Sequence, residues 1–199
     1  MLGSRKSIAI SAIDSTGFEA GQVSPYFVKR KRNKDDLHYE TCTYSHFPKC
    51  SVIVDIKTHM VLAAWPSRGP TPDVNQLDCT LGQLIDGINI QQMLGDAGYD
   101  SHHHHEFLRD VHGIKSLIPA RAGCPGQKPP KSAYRRLMRR LFKDIKRTNY
   151  RQRWQVETVF SMIKQNLGSA IRERSYWSQN RAMLMKVLAH NVMVCWLND

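Results

Sequence analysis

The order of its strand-like and helix-like segments is the feature that most constrains how this chain can fold. Residues 7–13, 49–56, 60–65, 90–95 and 115–118 resemble strands, because apolar residues alternate or run together between turn signals. Helices are predicted from Asp73 to about Asp86 and from Ser101 to about His112. The resulting order, β-β-β-α-β-α-β, predicts an α/β fold. Helices are expected to flank a mixed five-stranded sheet whose first three strands are antiparallel.

A basic insertion at about 119–149 follows the fifth predicted strand. Its glycines and prolines predict an irregular first part, whereas residues 132–147 are predicted to be helical. The next helix has an apolar stripe at helical spacing, formed by Val156, Val159, Phe160, Ile163 and Leu167. A last helix, from a Ser178 cap to residue 197, contains so many apolar residues that we expect it to be buried.

Length and composition indicate one soluble domain. The 199 residues, of which 41% are apolar, suffice for one core without a linker, so residues 1–199 are expected to form a single domain. No apolar run approaches the roughly 18 residues that span a bilayer, and the N-terminus lacks the apolar core of a signal peptide. Five cysteines without a C-x-x-C pair fit a reducing compartment. We therefore expect a cytoplasmic protein.

The charge of the chain indicates a polyanionic partner. The formal net charge is +12, and a charge of this size makes nucleic acid the first candidate. Twelve lysines and arginines between residues 121 and 153 have only Asp144 as an acidic neighbour. This run leads directly into the helix that follows the insertion. It therefore predicts phosphate contacts, which we expect from Arg139, Arg140, Arg147 and Arg151.

The helix after the insertion is predicted to have a chemical face opposite its apolar stripe. On an α-helix, Tyr150, Arg153, Glu157 and Lys164 fall within roughly 60° of one another. This face presents a hydroxyl, two cations and a carboxylate. An alternative is that Arg153 and Glu157, four residues apart, form only an ordinary surface ion pair.

Three carboxylates from distant segments are predicted to meet. Asp14 and Asp96 follow strands that should be neighbours in the sheet, and Glu157 projects from a helix that must pack on that sheet. Such like charges repel one another unless a divalent cation lies among them, and oxygen ligands favour Mg²⁺ or Mn²⁺. Two such ions would activate a water or a 3′-hydroxyl for attack on a phosphorus atom, which is the chemistry of phosphodiester cleavage.

Other acidic and histidine residues have simpler interpretations. Asp55, in the second strand, is a weaker alternative to Asp96 as a catalytic acid. Asp73 is interpreted as a helix cap, Asp100 as a turn residue and Asp110 as part of a solvated face. The run at residues 102–105 consists of four histidines and is interpreted as the polar start of a helix.

These residues resemble the DDE transposases of bacterial insertion sequences, which have a ribonuclease H-like catalytic domain. Tyr150, Arg153, Glu157 and Lys164 match the family's signature Y-x2-R-x3-E-x6-K without a gap. The resemblance also includes residues 12–18, 69–75 and 96–101, in the family's order. It implies that Asp14, Asp96 and Glu157 form a catalytic triad that binds two Mg²⁺ ions, with Mn²⁺ as a substitute. It further implies that Tyr150, Arg153 and Lys164 hold the transposon end.

The resemblance implies a transposase that cuts DNA and transfers strands, is nucleoid-associated, and acts as a homodimer in a synaptic complex. Two departures are visible. The insertion has Tyr134 and Phe142 but no tryptophan to stack on a flipped base, and there is no room before Asp14 for the family's N-terminal DNA-binding domain. Two rival functions are a metal-dependent nuclease on the same fold and a DNA-binding remnant without catalysis.

Overall fold

The computed structural model of the chain describes residues 6–20, 28–32, 39–43, 46–121 and 131–197. The strands within these ranges are β1 (Lys6–Gly17), β2 (Glu19–Ala20), β3 (Val28–Arg32), β4 (Tyr39–Thr43), β5 (Phe47–Asp55), β6 (Val61–Gly69), β7 (Ile88–Gly95), β8 (Lys115–Leu117) and β9 (Ala170–Ile171). The α-helices are α1 (Leu77–Leu81), α2 (His102–Glu106), α3 (Ala133–Leu141), α4 (Trp154–Leu167) and α5 (Tyr176–Leu197). No helix in these ranges is long and apolar enough to cross a membrane.

The main sheet has five strands in the order β6-β5-β1-β7-β8. β1 is central: it runs antiparallel to β5 and parallel to β7. β5 and β6 form an antiparallel hairpin, and β8 is parallel to β7. The predicted α/β fold, a mixed five-stranded sheet flanked by helices with its first three strands antiparallel, is confirmed.

Apolar side chains cover both faces of the sheet, as alternation along its strands requires. Ala12 and Leu94 belong to a core under α4 and α5, whereas their neighbours Ile13 and Met93 belong to a second core under α1 and the π-helical segment Phe107–Val111. The helices thus lie on both sides of the sheet. This leaves the ends of β1 and β7 open beside the start of α4.

The end of β1 and the helix that follows β6 differ from prediction. β1 does not end at Asp14, because its pairing with β5 continues from Asp14 opposite Val52 to Gly17 opposite Lys49. The helix predicted from Asp73 to Asp86 is only a 3-10 turn (Asp73–Asn75) followed by the five residues of α1. Asp73 is not its cap, since Pro72 occupies that position and makes no side-chain hydrogen bond.

The predicted helix from Tyr150 to Lys164 is two elements. Residues Asn149–Arg153 form a 3-10 helix, and α4 begins only at Trp154. The predicted stripe is confirmed at four positions, because Val156, Val159, Phe160 and Ile163 are buried. The insertion is helical as predicted in α3 and in the 3-10 segment Phe142–Arg147. Most of its irregular first part, residues 122–130, lies outside the described residues.

The last helix is longer and more exposed than predicted. α5 begins at Tyr176, and the hydroxyl of Ser175, not that of Ser178, accepts a hydrogen bond from the amide of Ser178. Among its apolar residues only Met183 and Val194 are buried. The expectation of burial is wrong because α5 contacts the sheet along one side only, leaving Trp177 and Trp196 largely exposed.

Candidate active site

Parallel pairing of β1 and β7 places Asp14 beside Asp96. Ile13 is opposite Gly95 in the register, so the two aspartates follow a matched pair of residues. Asp14 Oδ1 accepts the amide of Ser15 at 2.8 Å, and Asp96 accepts the amide of Gly98. Burial raises the pKa of Asp14 and the charges of Asp96 and Asp73 raise it further, against lowering by the Ser15 amide and Arg153. The two carboxylates are therefore close enough to repel each other.

Arg153 joins the third predicted carboxylate to this pair. One guanidinium nitrogen is 2.9 Å from Asp14 Oδ2 and the other is 2.5 Å from Glu157 Oε1. Burial alone would lower the pKa of Arg153, but Asp14, Tyr150 and Glu157 outweigh that effect and raise it. The alternative of an ordinary surface pair with Glu157 does not describe this arrangement, because Arg153 bridges two segments 139 residues apart and its side chain is only 22% exposed.

Tyr150 and Lys164 also lie near the Asp14 end of this bridge. Lys164 Nζ donates to the hydroxyl of Thr16 at 2.8 Å and lies 5.6 Å from the centre of the Phe18 ring. Tyr150 packs edge-on against Phe142 of the insertion, with ring centres 4.7 Å apart. Burial raises the pKa of Tyr150, and the charges of Asp96 and Asp14 raise it further, although Arg153 lowers it. All four residues of the Y-x2-R-x3-E-x6-K signature thus face the end of β1.

Asp73 is a fourth carboxylate at this site, and sequence reasoning misassigned it. Its carboxylate accepts a hydrogen bond from the hydroxyl of Ser15 and pairs with Lys49 Nζ at 2.7 Å. A Cβ atom on Gly98 would lie 2.6 Å from Asp96 Oδ1 and 3.3 Å from Asp73 Oδ2, so both aspartates contact the same glycine. The signal available in the sequence was its place in the segment 69–75, which belongs to the resemblance.

A sequence model described as the transposase DDE domain matches residues 5–192. The chain belongs to this transposase family. DDE transposases are enzymes of the polynucleotidyl-transferase type, and the match includes all the site residues described above. No curated protein sequence matches this transposase domain significantly.

Solved structures similar to this transposase domain include an integrase and a transposase. The catalytic core domain of BIV integrase is 16% identical, with a TM-score of 0.33, over 92% of this chain and 97% of that one. The Mos1 mariner paired-end complex with Mn is 13% identical, with a TM-score of 0.35, over 94% of this chain and 55% of that one. A second Mos1 paired-end complex, with the left transposon end, is 12% identical with a TM-score of 0.35. It covers 94% of this chain and 55% of that one.

The donor chemistry of this transposase site fits a hard divalent cation. Asp14 and Asp96 supply adjacent carboxylate oxygens, and their mutual repulsion is the kind that such a cation relieves. Within the described ranges, however, no three acidic, histidine or cysteine side chains are grouped closely enough to hold a metal ion. The guanidinium of Arg153 pairs with both Asp14 and Glu157 and so lies between these two carboxylates.

The predicted phosphate-binding arginines line the insertion and the start of the 3-10 helix. Arg140 and Arg151 are exposed, Arg139 is partly exposed, and none of the three forms an ion pair within the described part of the chain. Arg147 is exposed and pairs with Asp144 at 2.8 Å. Positive charge is therefore available on the surface beside the carboxylates.

The remaining acidic residues are not part of the site. Asp55 is the alternative catalytic acid, but its carboxylate accepts the Lys57 amide and the Thr58 hydroxyl in the turn between β5 and β6. It is opposite Ser11, three residues before Asp14 along β1. Asp100 is more than a turn residue, because it is buried and paired with Arg135 of α3 at 2.6 Å.

Proposed function

We propose that this transposase domain cuts DNA and joins the resulting 3′-hydroxyl end to a target strand, with Asp14, Asp96 and Glu157 as its catalytic residues. The observation that carries the proposal is the adjacency of Asp14 and Asp96, with Glu157 linked to Asp14 through Arg153. Neighbouring carboxylates that repel each other suit phosphoryl transfer better than they suit stability. The whole of residues 1–199 would act as one catalytic domain.

Asp14, Asp96 and Glu157 would hold Mg²⁺ or Mn²⁺. When bound, two such ions supply charge that activates the attacking oxygen and stabilises the leaving one. The protein's own part is to orient the carboxylates and to release Arg153 from at least one of them. Once released, the guanidinium is free to pair with a DNA phosphate, since Arg matches phosphate geometry with two parallel hydrogen bonds. Tyr150 and Lys164 would position the same strand.

The basic insertion would bind the DNA backbone. Replacing Arg139 and Arg140 together by Ala is expected to weaken duplex binding at moderate salt about tenfold and to lower the slope of log affinity against log salt by about 2, because two phosphate contacts are lost. Fluorescence anisotropy at several salt concentrations measures both. The control is Lys57→Ala with Lys115→Ala, which removes the same charge outside the insertion. An equal change in the control would show that only net charge matters.

A strand-transfer assay tests the proposed function against its rivals. The purified chain is mixed with Mg²⁺, a labelled oligonucleotide carrying a free 3′-hydroxyl and an unlabelled plasmid. Label joined to plasmid supports the transposase. Cut plasmid without joined label supports the metal-dependent nuclease, and DNA binding without either product supports the inactive remnant.

We also propose that two copies associate through α5. Trp177, Leu184, Met185, Leu188, Val192 and Trp196 are exposed and fall within about 120° of the helix surface. The two tryptophans alone expose on the order of 300 Å², so the six side chains approach the roughly 800 Å² per partner of a standard interface. Arg181 and Lys186 are the only Asp, Glu, Lys or Arg residues of α5, and Lys186 is held by the carbonyls of Leu167 and Gly168.

The second copy is the favoured occupant because the stripe is self-complementary. Antiparallel packing about Leu188 would bring Leu184 against Val192 of the second copy, as a two-fold interface requires. Sedimentation equilibrium in high salt is expected to show a dimer for the native chain and a monomer for Leu188→Glu. Val111→Glu, at an exposed apolar position outside α5, should remain dimeric. A native chain that is monomeric at every concentration would contradict the proposal.

A further inference from the structure

We propose that Asp73 is a positioning residue that holds the Asp14 carboxylate in place through Ser15. The inference rests on the proposed function, because it assigns a role toward the carboxylate that would bind metal. Ser15 connects the two aspartates: its backbone amide donates to Asp14 Oδ1 at 2.8 Å, and its hydroxyl donates to Asp73 Oδ1. Asp73 therefore reaches Asp14 through one residue with two defined donors.

Lys49 fixes Asp73 from the other side. Its Nζ lies 2.7 Å from Asp73 Oδ1 and donates to the carbonyl of Thr71 at 2.6 Å. Lys49 is on β5, directly opposite Gly17 of β1, and is only 9% exposed. A buried lysine needs a partner, so this ion pair ties the turn after β6 to the central strands. Asp73 is held more firmly than a residue of an exposed turn would be.

The arrangement also touches Asp96. Gly98, whose amide donates to Asp96, has room for no side chain between Asp96 Oδ1 and Asp73 Oδ2. The side chain of Tyr99 is buried beside the hydroxyls of Ser15 and Ser51. Asp73 thus lies where β1 and the turn after β7 meet, and its loss would free Ser15 to turn away from Asp14. Supporting hydrogen bonds of this kind typically change metal affinity or activity 10–100-fold.

A role in positioning can be separated from a role in stability, because Asp73 has two partners. Asp73→Ala and Ser15→Ala both remove the hydrogen bond between the two side chains. Lys49→Met removes the ion pair and the hydrogen bond to the Thr71 carbonyl but leaves the Ser15–Asp73 hydrogen bond in place. Asp73→Asn weakens the ion pair but keeps an oxygen that Ser15 can donate to. A structural role predicts that metal affinity follows the melting temperature across these variants. The positioning role predicts that affinity follows the Ser15 hydrogen bond instead.

The experiment measures Mn²⁺ binding by electron paramagnetic resonance of the free ion, with melting temperature and plasmid nicking recorded on the same samples. We expect Asp73→Ala and Ser15→Ala to bind Mn²⁺ at least 10-fold more weakly than the native chain. Asp73→Asn and Lys49→Met should stay within about 3-fold even though Lys49→Met melts earlier. Asp86→Ala, at an exposed aspartate away from the site, is the control.

The outcomes separate the two proposals. If the native chain binds Mn²⁺ and Asp73→Ala binds it equally well, the positioning role is overturned while the proposed function stands. If Asp73→Asn loses as much Mn²⁺ affinity as Asp73→Ala, the charge of the Asp73 carboxylate is needed and its hydrogen bond with Ser15 is not sufficient. That result also overturns the positioning role. If the native chain neither binds Mn²⁺ nor nicks DNA, the proposed function fails and this inference fails with it. If the native chain binds Mn²⁺ but does not nick DNA, the comparison of Mn²⁺ affinities among the variants still decides whether Asp73 has the positioning role.

Discussion

Asp96→Asn is expected to lower the rate of metal-dependent plasmid nicking by about 10³-fold or more. The substitution keeps the size of the side chain and an oxygen that can accept the Gly98 amide, so β7 and the turn after it should persist. It removes one of two adjacent negative charges, on which the proposed metal site depends. Groups that act as one unit in catalysis give losses of this size when a single member is removed.

The same reasoning predicts that the three carboxylates are not additive. Asp14→Asn, Asp96→Asn and Glu157→Gln should each abolish most nicking, and combining any two should add little, because the first loss already disables the unit. Initial rates of loss of supercoiled plasmid measure this, with Asp86→Asn as a control that should nick normally. Asp96→Asn at more than a tenth of the native rate would show that Asp96 is not part of the catalytic unit.

Asp100→Ala is expected to lower the free energy of unfolding by about 3 kcal/mol, because it leaves Arg135 and His105 without their buried partner. The Asp100 carboxylate accepts the Arg121 amide at 2.8 Å and pairs with Arg135 at 2.6 Å and His105 at 3.5 Å. Asp100 therefore connects α3, which belongs to the basic insertion, to the turn after β7. Denaturant unfolding followed by circular dichroism measures the change. Asp110→Ala, which removes an exposed carboxylate that accepts from Tyr134, should cost much less.

The pH dependence of stability gives a second measurement of the same contact. Burial raises the pKa of Asp100, but hydrogen bonds from His105, Arg135 and the Arg121 amide outweigh it and lower the pKa to about 2 from an ordinary 3.8. Because the folded pKa is depressed, the stabilisation is present above the unfolded pKa and is lost as pH falls from about 4 to about 2. The difference between native and Asp100→Ala stability should shrink by about 2 kcal/mol over that range. A difference that is constant with pH would contradict the assignment.

The central strands and the proximity of Asp14 to Asp96 could be predicted from sequence because their signals are local. Apolar runs identify β1 and β7, and the parallel pairing of these strands makes neighbours of Asp14 and Asp96, the acidic residues directly after the two runs. The apolar stripe of α4 similarly places Glu157 and Lys164 on the side facing the end of β1. In each case the hydrophobic pattern alone orients the polar residue.

The roles of Asp73 and Asp100 could not be predicted because their partners are distant in sequence. Asp73 has the spacing of a helix cap, and the ion pair with Lys49, 24 residues earlier, overrides that local preference. Asp100 has the context of a turn, but it is buried through Arg135, 35 residues later. His104 and His105 are interpreted from sequence as surface residues, yet both are buried, and their rings lie within hydrogen-bonding distance of the Tyr99 carbonyl and the Ser116 hydroxyl. Burial of polar groups depends on tertiary partners that a local pattern does not contain.

The exposure of α5 could not be predicted from sequence either. α5 is rich in apolar residues, but composition does not reveal whether the apolar side of a helix packs against its own chain or against a partner. Only the positions of Met183 and Val194 against the sheet show that one side is buried and that the stripe around Leu188 is not.

The most direct measurement of the central claim is nicking of supercoiled plasmid by the native chain, with Mg²⁺ or Mn²⁺ and with EDTA, beside Asp96→Asn. The account predicts open circles with either metal, none with EDTA, and none from the variant, while both proteins still bind the plasmid. Nicking that persists in EDTA or in Asp96→Asn would contradict metal-dependent catalysis by these carboxylates. Plasmid binding without nicking under any metal would contradict the catalytic claim as a whole.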